Sequence, residues 1–206
     1  MGFTYLPKWA FALFILFIFV LTTLFGALGF LLCALVFSAI ALVFRRQRKD
    51  LMEDSQISGD IVFSPVNGKV VKVEKDIKHD FFSETCTSVR LRVPFWKETG
   101  LFFPATSEVE DMQASCASCK DHLVKFKLPS GLEIGLAVGE NLLKILPRIV
   151  VIPGDRGKQK MNFGHLPFGG EVKVYIPSSL EVLINEKDEV VAGQGVLAGI
   201  PKEIKE

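Results

Sequence analysis

Residues Cys116 to His122 read CASCKDH and place two thiols and an imidazole at three-residue intervals. That spacing offers Cys116, Cys119 and His122 as zinc ligands, with Cys86, His79 or His165 as a fourth. A single CxxC with no second pair is weak support for a metal, and no βαβ pattern surrounds it to suggest redox chemistry. The preferred reading is a small polar loop with reduced cysteines, and no metal. Arg148 and Arg156 are candidate forks for a phosphate or carboxylate, or else solvated residues at strand ends. His165, in the stretch NFGHLP, is either an acid/base group or an exposed turn histidine. No partner aspartate is evident for it, so the turn reading is preferred.

The elements that must position these groups begin with a long apolar run. Trp9 to Phe44 spans about 36 residues, roughly twice the ~20 that one membrane-spanning helix needs. The apolar core of a signal peptide is far shorter, at ~7–15 residues. Thr22, Thr23, Gly26 and Gly29 sit mid-run, so two short helices are expected, Trp9–Phe25 and Ala27–Phe44. A single long tilted helix is the rival reading. Arg45, Arg46, Arg48 and Lys49 follow directly, and the positive-inside rule then places the remaining chain in the cytoplasm. Tyr5 and Trp9 suit an interfacial anchor. A reducing cytoplasm agrees with four irregularly spaced cysteines. The formal net charge of +1 selects no nucleic-acid partner.

Residues 50–60 are polar and read as a linker. From Ile61 onward, short runs of Val, Ile and Phe broken by Pro, Gly, Asn and Asp predict strands. Asn67-Gly68 carries a hairpin signal. Val71 and Val73 alternate with Lys72 and Glu74, although Val70 breaks the pattern. Further strands are predicted at Ser88–Val93, Leu123–Leu128, Glu133–Val138, Ile149–Ile152, Val172–Ile176 and Glu181–Ile184, with a turn at Pro129-Ser130-Gly131. The expected organisation is a membrane anchor over 1–49, a linker over 50–60 and a β domain over 61–206.

The stretch VLINEKDEVVAGQGVL, Val182 to Leu197, resembles the half-repeat of lipoyl and biotinyl carrier domains. Ser64 to Val70, SPVNGKV, would supply the matching half, which implies a barrel-sandwich type of β core. No exposed Met-Lys-Met-like tip accompanies it, so the resemblance carries the fold and not the carrier function. A wider set of segments occurs in order along the chain: the apolar N-terminus, the basic run, SPVNGKVVKVE, Phe95 to Ser107, PRIVV at Pro147, GDR at Gly154, and FGGEVKVYIP from Phe168 to Pro177. Together they resemble the short, membrane-anchored phosphatidylserine decarboxylases. The resemblance implies a mainly β, barrel-sandwich-like core with an N-terminal transmembrane helical hairpin.

It also implies a chemistry that can be checked by position. The family's serine attacks the preceding carbonyl and is converted to a pyruvoyl cofactor, which binds the substrate amine and takes up electrons as CO2 leaves. Gly170 occupies that position and offers no nucleophile. The family's aspartate lies in a P-A-D-G turn, and here Pro65-Val66-Asn67-Gly68 supplies Asn67, which is not a base. The family's histidine precedes a proline. Aligning on Pro104 puts Thr99 there and Lys97 at an aspartate position, whereas anchoring on Pro94-Phe95 puts Glu98 at the histidine position. Ser178 and Ser179 lie eight or nine residues past Gly170 and are too distant along a strand of ~3.3 Å per residue to substitute. Between Pro104 and Lys125, where the family carries a longer basic loop, Glu108, Glu110 and Asp111 stand instead. The positions Asn67, Thr99 and Gly170 are thus degenerate, and no catalytic residue and no pyruvoyl cofactor are expected. The expected protein is an uncut, inactive membrane scaffold of the inner membrane, facing the cytoplasm and binding phospholipid or a membrane-protein partner. A divergent decarboxylase active in phosphatidylethanolamine synthesis is the alternative, and a fusion or carrier-like β module is a third class.

Overall fold

The computed structural model of the chain describes residues 8–43, 61–78, 82, 85–113, 121–139 and 145–199. It divides into two compact units, Met1–Arg48 and Lys49–Glu206. The basic run, the linker, His79, Cys116 and Cys119 lie outside the described residues.

The first unit is one apolar helical element, α1 (Lys8–Val43), interrupted at Gly26, whose φ of 61° and ψ of −143° are not helical. Glycine reaches that region without steric cost, which other residues do not. The segment is not a straight rod. Twenty-three residues of continuous helix would separate Phe14 from Phe37 by ~35 Å, yet their rings stack with centroids 4.7 Å apart. The chain therefore turns back at Gly26. Phe14, Ile18, Leu21 and Thr22 are partly covered on the first half, and Gly29, Cys33 and Phe37 are covered at four-residue steps on the second. A side chain at Gly29 would run into the Leu21 carbonyl, so small residues at 29 and 33 allow the close approach typical of apolar helix pairs. The stretch Ala12–Ala39 is long and apolar enough to cross a membrane.

The second unit is mainly β. Its strands are β1 (Val62–Phe63), β2 (Gly68–Ile77), β3 (Cys86–Val93), β4 (Gly100–Phe102), β5 (Ser107–Gln113), β6 (His122–Lys127), β7 (Glu133–Val138), β8 (Arg148–Ile149), β9 (Arg156–Gly157), β10 (Asn162–His165), β11 (Gly170–Pro177), β12 (Glu181–Val182), β13 (Glu189–Val190) and β14 (Val196–Gly199). The largest sheet runs β13-β2-β3-β11-β7-β6-β5-β9, and two small sheets run β1-β14-β12 and β4-β10-β8. All pairings are antiparallel. Phe103, Phe126 and Phe163 pack edge to face at centroid distances of 5.3–5.5 Å in the centre of the core, an arrangement favoured by the ring quadrupoles.

Two expectations need correction. Asn67-Gly68 is not a hairpin turn. β1 pairs with β14 and β2 with β3, and Gly68 has no positive φ. Glycine is required there because a Cβ would sit 2.5 Å from the Arg92 carbonyl oxygen. The residues 107–113, expected as part of a divergent loop, form β5, whose Glu108 and Glu110 are matched by Arg156, Lys125 and Lys127 on the flanking strands. The predicted Pro129-Ser130-Gly131 turn joins β6 to β7, with Gly131 at φ 89° and Lys127 opposite Glu133.

The broken alternation near Val70 has a structural cause. Val70 faces Leu91 and Lys72 faces Arg90, so Val71 is an extra residue in the ladder. Such a bulge returns Val70 and Val73 to the inner face, and Val70 is 1% exposed while Val71 is 38% exposed. Val70→Ala is expected to cost about 2 kcal/mol, and Val71→Ala less than about 0.5 kcal/mol. Urea unfolding of the detergent-solubilised variants, followed by circular dichroism, measures both.

Candidate functional site

Three segments meet where β11 begins. Residues 93–100 run beside residues 164–170: Gly170 pairs with Val93, and the Leu166 N–H donates to the Thr99 carbonyl at 2.8 Å. Gly169, at φ 75°, lies so close to Val93, Pro94 and Phe95 that a Cβ would collide with the Val93 carbonyl oxygen. Phe168 has φ 60° and Gly170 φ 148°. Three successive positive φ values make this a turn that only glycine-rich sequence sustains at low cost.

Asn67 enters from the third segment. Its Nδ2 donates to the Glu98 carbonyl oxygen at 3.3 Å and to Glu98 Oε2 at 3.4 Å. Its Oδ1 accepts the Ala192 N–H at 3.0 Å. Asn67, Glu98 and Thr99 are all buried. The amide thus uses both its donor and its acceptor to bind two distant segments, a role in which an unsatisfied partner would cost ~1–3 kcal/mol. The two half-repeats seen in sequence meet here: Gly193 N–H donates to the Ser64 carbonyl at 2.8 Å, and Ser64 N–H to the Gly195 carbonyl at 2.7 Å. The sequence offers Glu98 only as one of two registers. Its contact with Asn67, 31 positions away, has no local signal.

His165 differs from the expected exposed turn residue. It lies in β10, paired with Gly100 and Arg148, and is 8% exposed. Gly164 makes this strand possible, because a Cβ there would sit 2.5 Å from the Arg148 carbonyl oxygen. Burial, reinforced by the Arg148 guanidinium, pushes the His165 pKa down to about 4. The imidazole is therefore neutral at pH 7.

The two arginines are not brought into one site. Arg148 is exposed on β8. Arg156 is on β9 in the other sheet, where its Nε donates to Glu108 Oε2 at 2.8 Å. Arg156 lines a cavity of about 550 Å³ with Lys127, Lys158 and Glu108, and Arg148 does not. Of CASCKDH, only Asp121 and His122 are described. Asp121 accepts a 2.8 Å bond from Lys173, which holds that ammonium above its usual pKa against the opposing effect of burial. His122 opens β6 opposite Val138. Among the described residues no group of three or more His, Cys, Asp or Glu is placed to hold a metal. Ser178, just beyond the far end of β11, donates to the Thr85 carbonyl at 2.8 Å and so does not approach Gly170.

The chain is 24% identical over 191 residues to the phosphatidylserine decarboxylase proenzyme of Syntrophotalea carbinolica, covering 86% of this chain and 88% of the relative. It is 23% identical over 155 residues to that of Syntrophus aciditrophicus, covering 66% and 70%. A shorter match to that of Symbiobacterium thermophilum is 42% identical over 57 residues, covering 27% and 26%. The chain resembles phosphatidylserine decarboxylases. No family model matches it, and no solved structure matches it.

The buried imidazole sets a pH dependence. An unfolded His165 titrates near 6.5 and the folded one near 4, so between these values the unfolded chain binds more protons and stability falls as pH falls. The loss attributable to this group is on the order of 3 kcal/mol once pH is below about 4. His165→Gln is expected to flatten the fall in urea midpoint across that window, whereas a slope equal to wild type would show that His165 does not titrate between folded and unfolded chains.

Proposed function

We propose that this phosphatidylserine decarboxylase-like chain stays uncut, forms no pyruvoyl group and does not decarboxylate. It acts instead as a membrane-bound scaffold or a phospholipid- or partner-binding subunit. The reading places an anchor over residues 1–49, a linker over 50–60 and the β domain over 61–206. The anchor crosses the inner membrane as two short helices, and the β domain lies in the cytoplasm.

The observation that carries the reading is the backbone at Gly170. A φ of 148° is one that a serine rarely adopts. The position has lost not only the hydroxyl but also a conformation in which a serine would rest unstrained. The neighbouring polar residues point the same way. Where the family resemblance calls for an aspartate and a histidine, an amide meets a carboxylate: Asn67 with Glu98. This contact favours Glu98 over Thr99 as the counterpart of the family's histidine. Asn67 is no acid or base and Glu98 is a carboxylate in place of an imidazole, so the aspartate–histidine pair that the family's processing uses is absent, and removing members of such a unit costs orders of magnitude in rate.

The purified chain is expected to run as one full-length band under denaturing conditions, with an intact mass equal to the uncut sequence. It should release no CO2 from phosphatidylserine vesicles. Two fragments meeting near residue 170, or CO2 release above that of empty vesicles, would favour a divergent decarboxylase supplying phosphatidylethanolamine. Gly170→Ser is expected to remain uncut and to lose roughly 1–3 kcal/mol of stability through backbone strain.

A further inference from the structure

We propose that Phe95, Trp96 and Phe168 form a tip that inserts into the bilayer interface and holds the β unit against the lipid surface. The inference rests on the reading that α1 spans a membrane.

Three aromatic side chains stand out of the β unit at one place. Phe95 is 50% exposed, Trp96 63% and Phe168 41%. Their backbones lie side by side: Gly169, next to Phe168, is pressed against the Val93 carbonyl, Pro94 and the Phe95 nitrogen. Phe95 and Trp96 meet edge to face at 4.9 Å. Val191, 47% exposed, joins the same end, since Lys97 Nζ reaches Glu189 Oε2 at 2.9 Å and Asn67 ties Glu98 to Ala192. Single exposed apolar residues are ordinary on protein surfaces. A contiguous group of aromatics marks a surface with a partner.

The chemistry of the group selects the partner. Trp and Phe at the end of a rigid turn, with cations close by, suit the headgroup level of a bilayer, where an aromatic ring is half in hydrocarbon and half in a polar layer. The cations are Lys69, Arg92 and Lys97. Arg92 pairs with Glu171 at 3.0 Å and Lys97 with Glu189, and Lys69 also acts on the Glu189 carboxylate. Glu98 is buried behind the tip, so at its surface these three cations stand against the two carboxylates Glu171 and Glu189, an excess of one that faces lipid phosphate favourably. The tip is held stiffly. The Lys97 N–H donates to the Pro94 carbonyl at 3.2 Å, Gly170 pairs with Val93, and Glu98 and Thr99 are buried directly behind. Little ordering is therefore needed on insertion. Because the unit is tethered to a membrane segment, even a weak surface contact is occupied most of the time through effective concentration.

The chain has two tryptophans, Trp9 and Trp96, so Trp9→Phe leaves Trp96 as the sole emitter. The full-length variant would be reconstituted into vesicles of phosphatidylcholine with brominated or ordinary acyl chains, with and without phosphatidylglycerol. Trp96 emission is expected to be blue-shifted, quenched by brominated chains and protected from iodide, with stronger quenching when phosphatidylglycerol is present. Adding Phe95→Ser and Phe168→Ser should abolish the bromine quenching while the far-ultraviolet circular dichroism stays unchanged. Equal emission in both vesicle types with full iodide access overturns the proposal. So does protection from iodide without bromine quenching, which would mean that a second copy or another protein covers the tip. Resistance of the chain to alkaline carbonate extraction reports on α1 separately, so failure of the tip and failure of the membrane-spanning reading give different results.

Discussion

The β unit depends on the ladder that β11 makes from the middle of the large sheet. Eight consecutive residues, Gly170 to Pro177, pair with Val93 back to Cys86, and four of them also pair with β7. Val172, Val174 and Ile176 are completely buried by this placement. A strand late in the chain thereby joins early strands to middle ones, and neither half of the sheet has its full set of partners without it. The turn over Phe168 to Gly170 feeds this strand. Its unusual backbone angles persist because the ladder on one side and the packed Val93–Phe95 segment on the other over-determine them.

The same logic accounts for the buried polar residues. Asn67 bonds both the Glu98 region and the Val190–Gly195 segment through one side chain. Its amide is suited to that role because it offers a donor and an acceptor and carries no charge into the interior. A carboxylate at the same place could accept the Ala192 N–H but would present a like charge to Glu98. Asn67 and Glu98 are thus joined by contacts that serve the polar framework of the core.

Much of this fold is legible in the sequence where local pattern and tertiary environment agree. Glu133–Val138 matches β7 because a turn with Gly131 fixes its start and a nearly continuous apolar run suits a strand covered on both faces. β5 is not legible. Ser-Glu-Val-Glu-Asp-Met-Gln has one fully buried apolar residue, Val109, and its carboxylates are made tolerable only by cations on β6 and β9. β10 is hidden for another reason. Asn162 and Gly164 are turn formers by habit, yet Gly164 is needed for close strand approach and Asn162 Nδ2 donates to the Leu101 and Gly164 carbonyls. At the candidate site, Gly170 and Asn67 are readable from their motifs. The meeting of Asn67 with Glu98 is not, because it depends on a fold-level approach of segments 31 positions apart.

The pairing of β1 with β14 has a consequence for how the unit can be built into larger assemblies. Val62 lies opposite Ala198 and Phe63 opposite Val196, while Ile61 touches the space beside Gly199. The first and last described strands of the β unit are neighbours, so Ile61 and Gly199 lie side by side. A linker bridging the two would span only a few residues, and new termini opened at the exposed Pro129-Ser130-Gly131 turn would give a circularly permuted unit with the same sheet order. Anything fused after residue 199 would likewise begin beside the point where the segment from the N-terminus arrives, not on the opposite side of the unit.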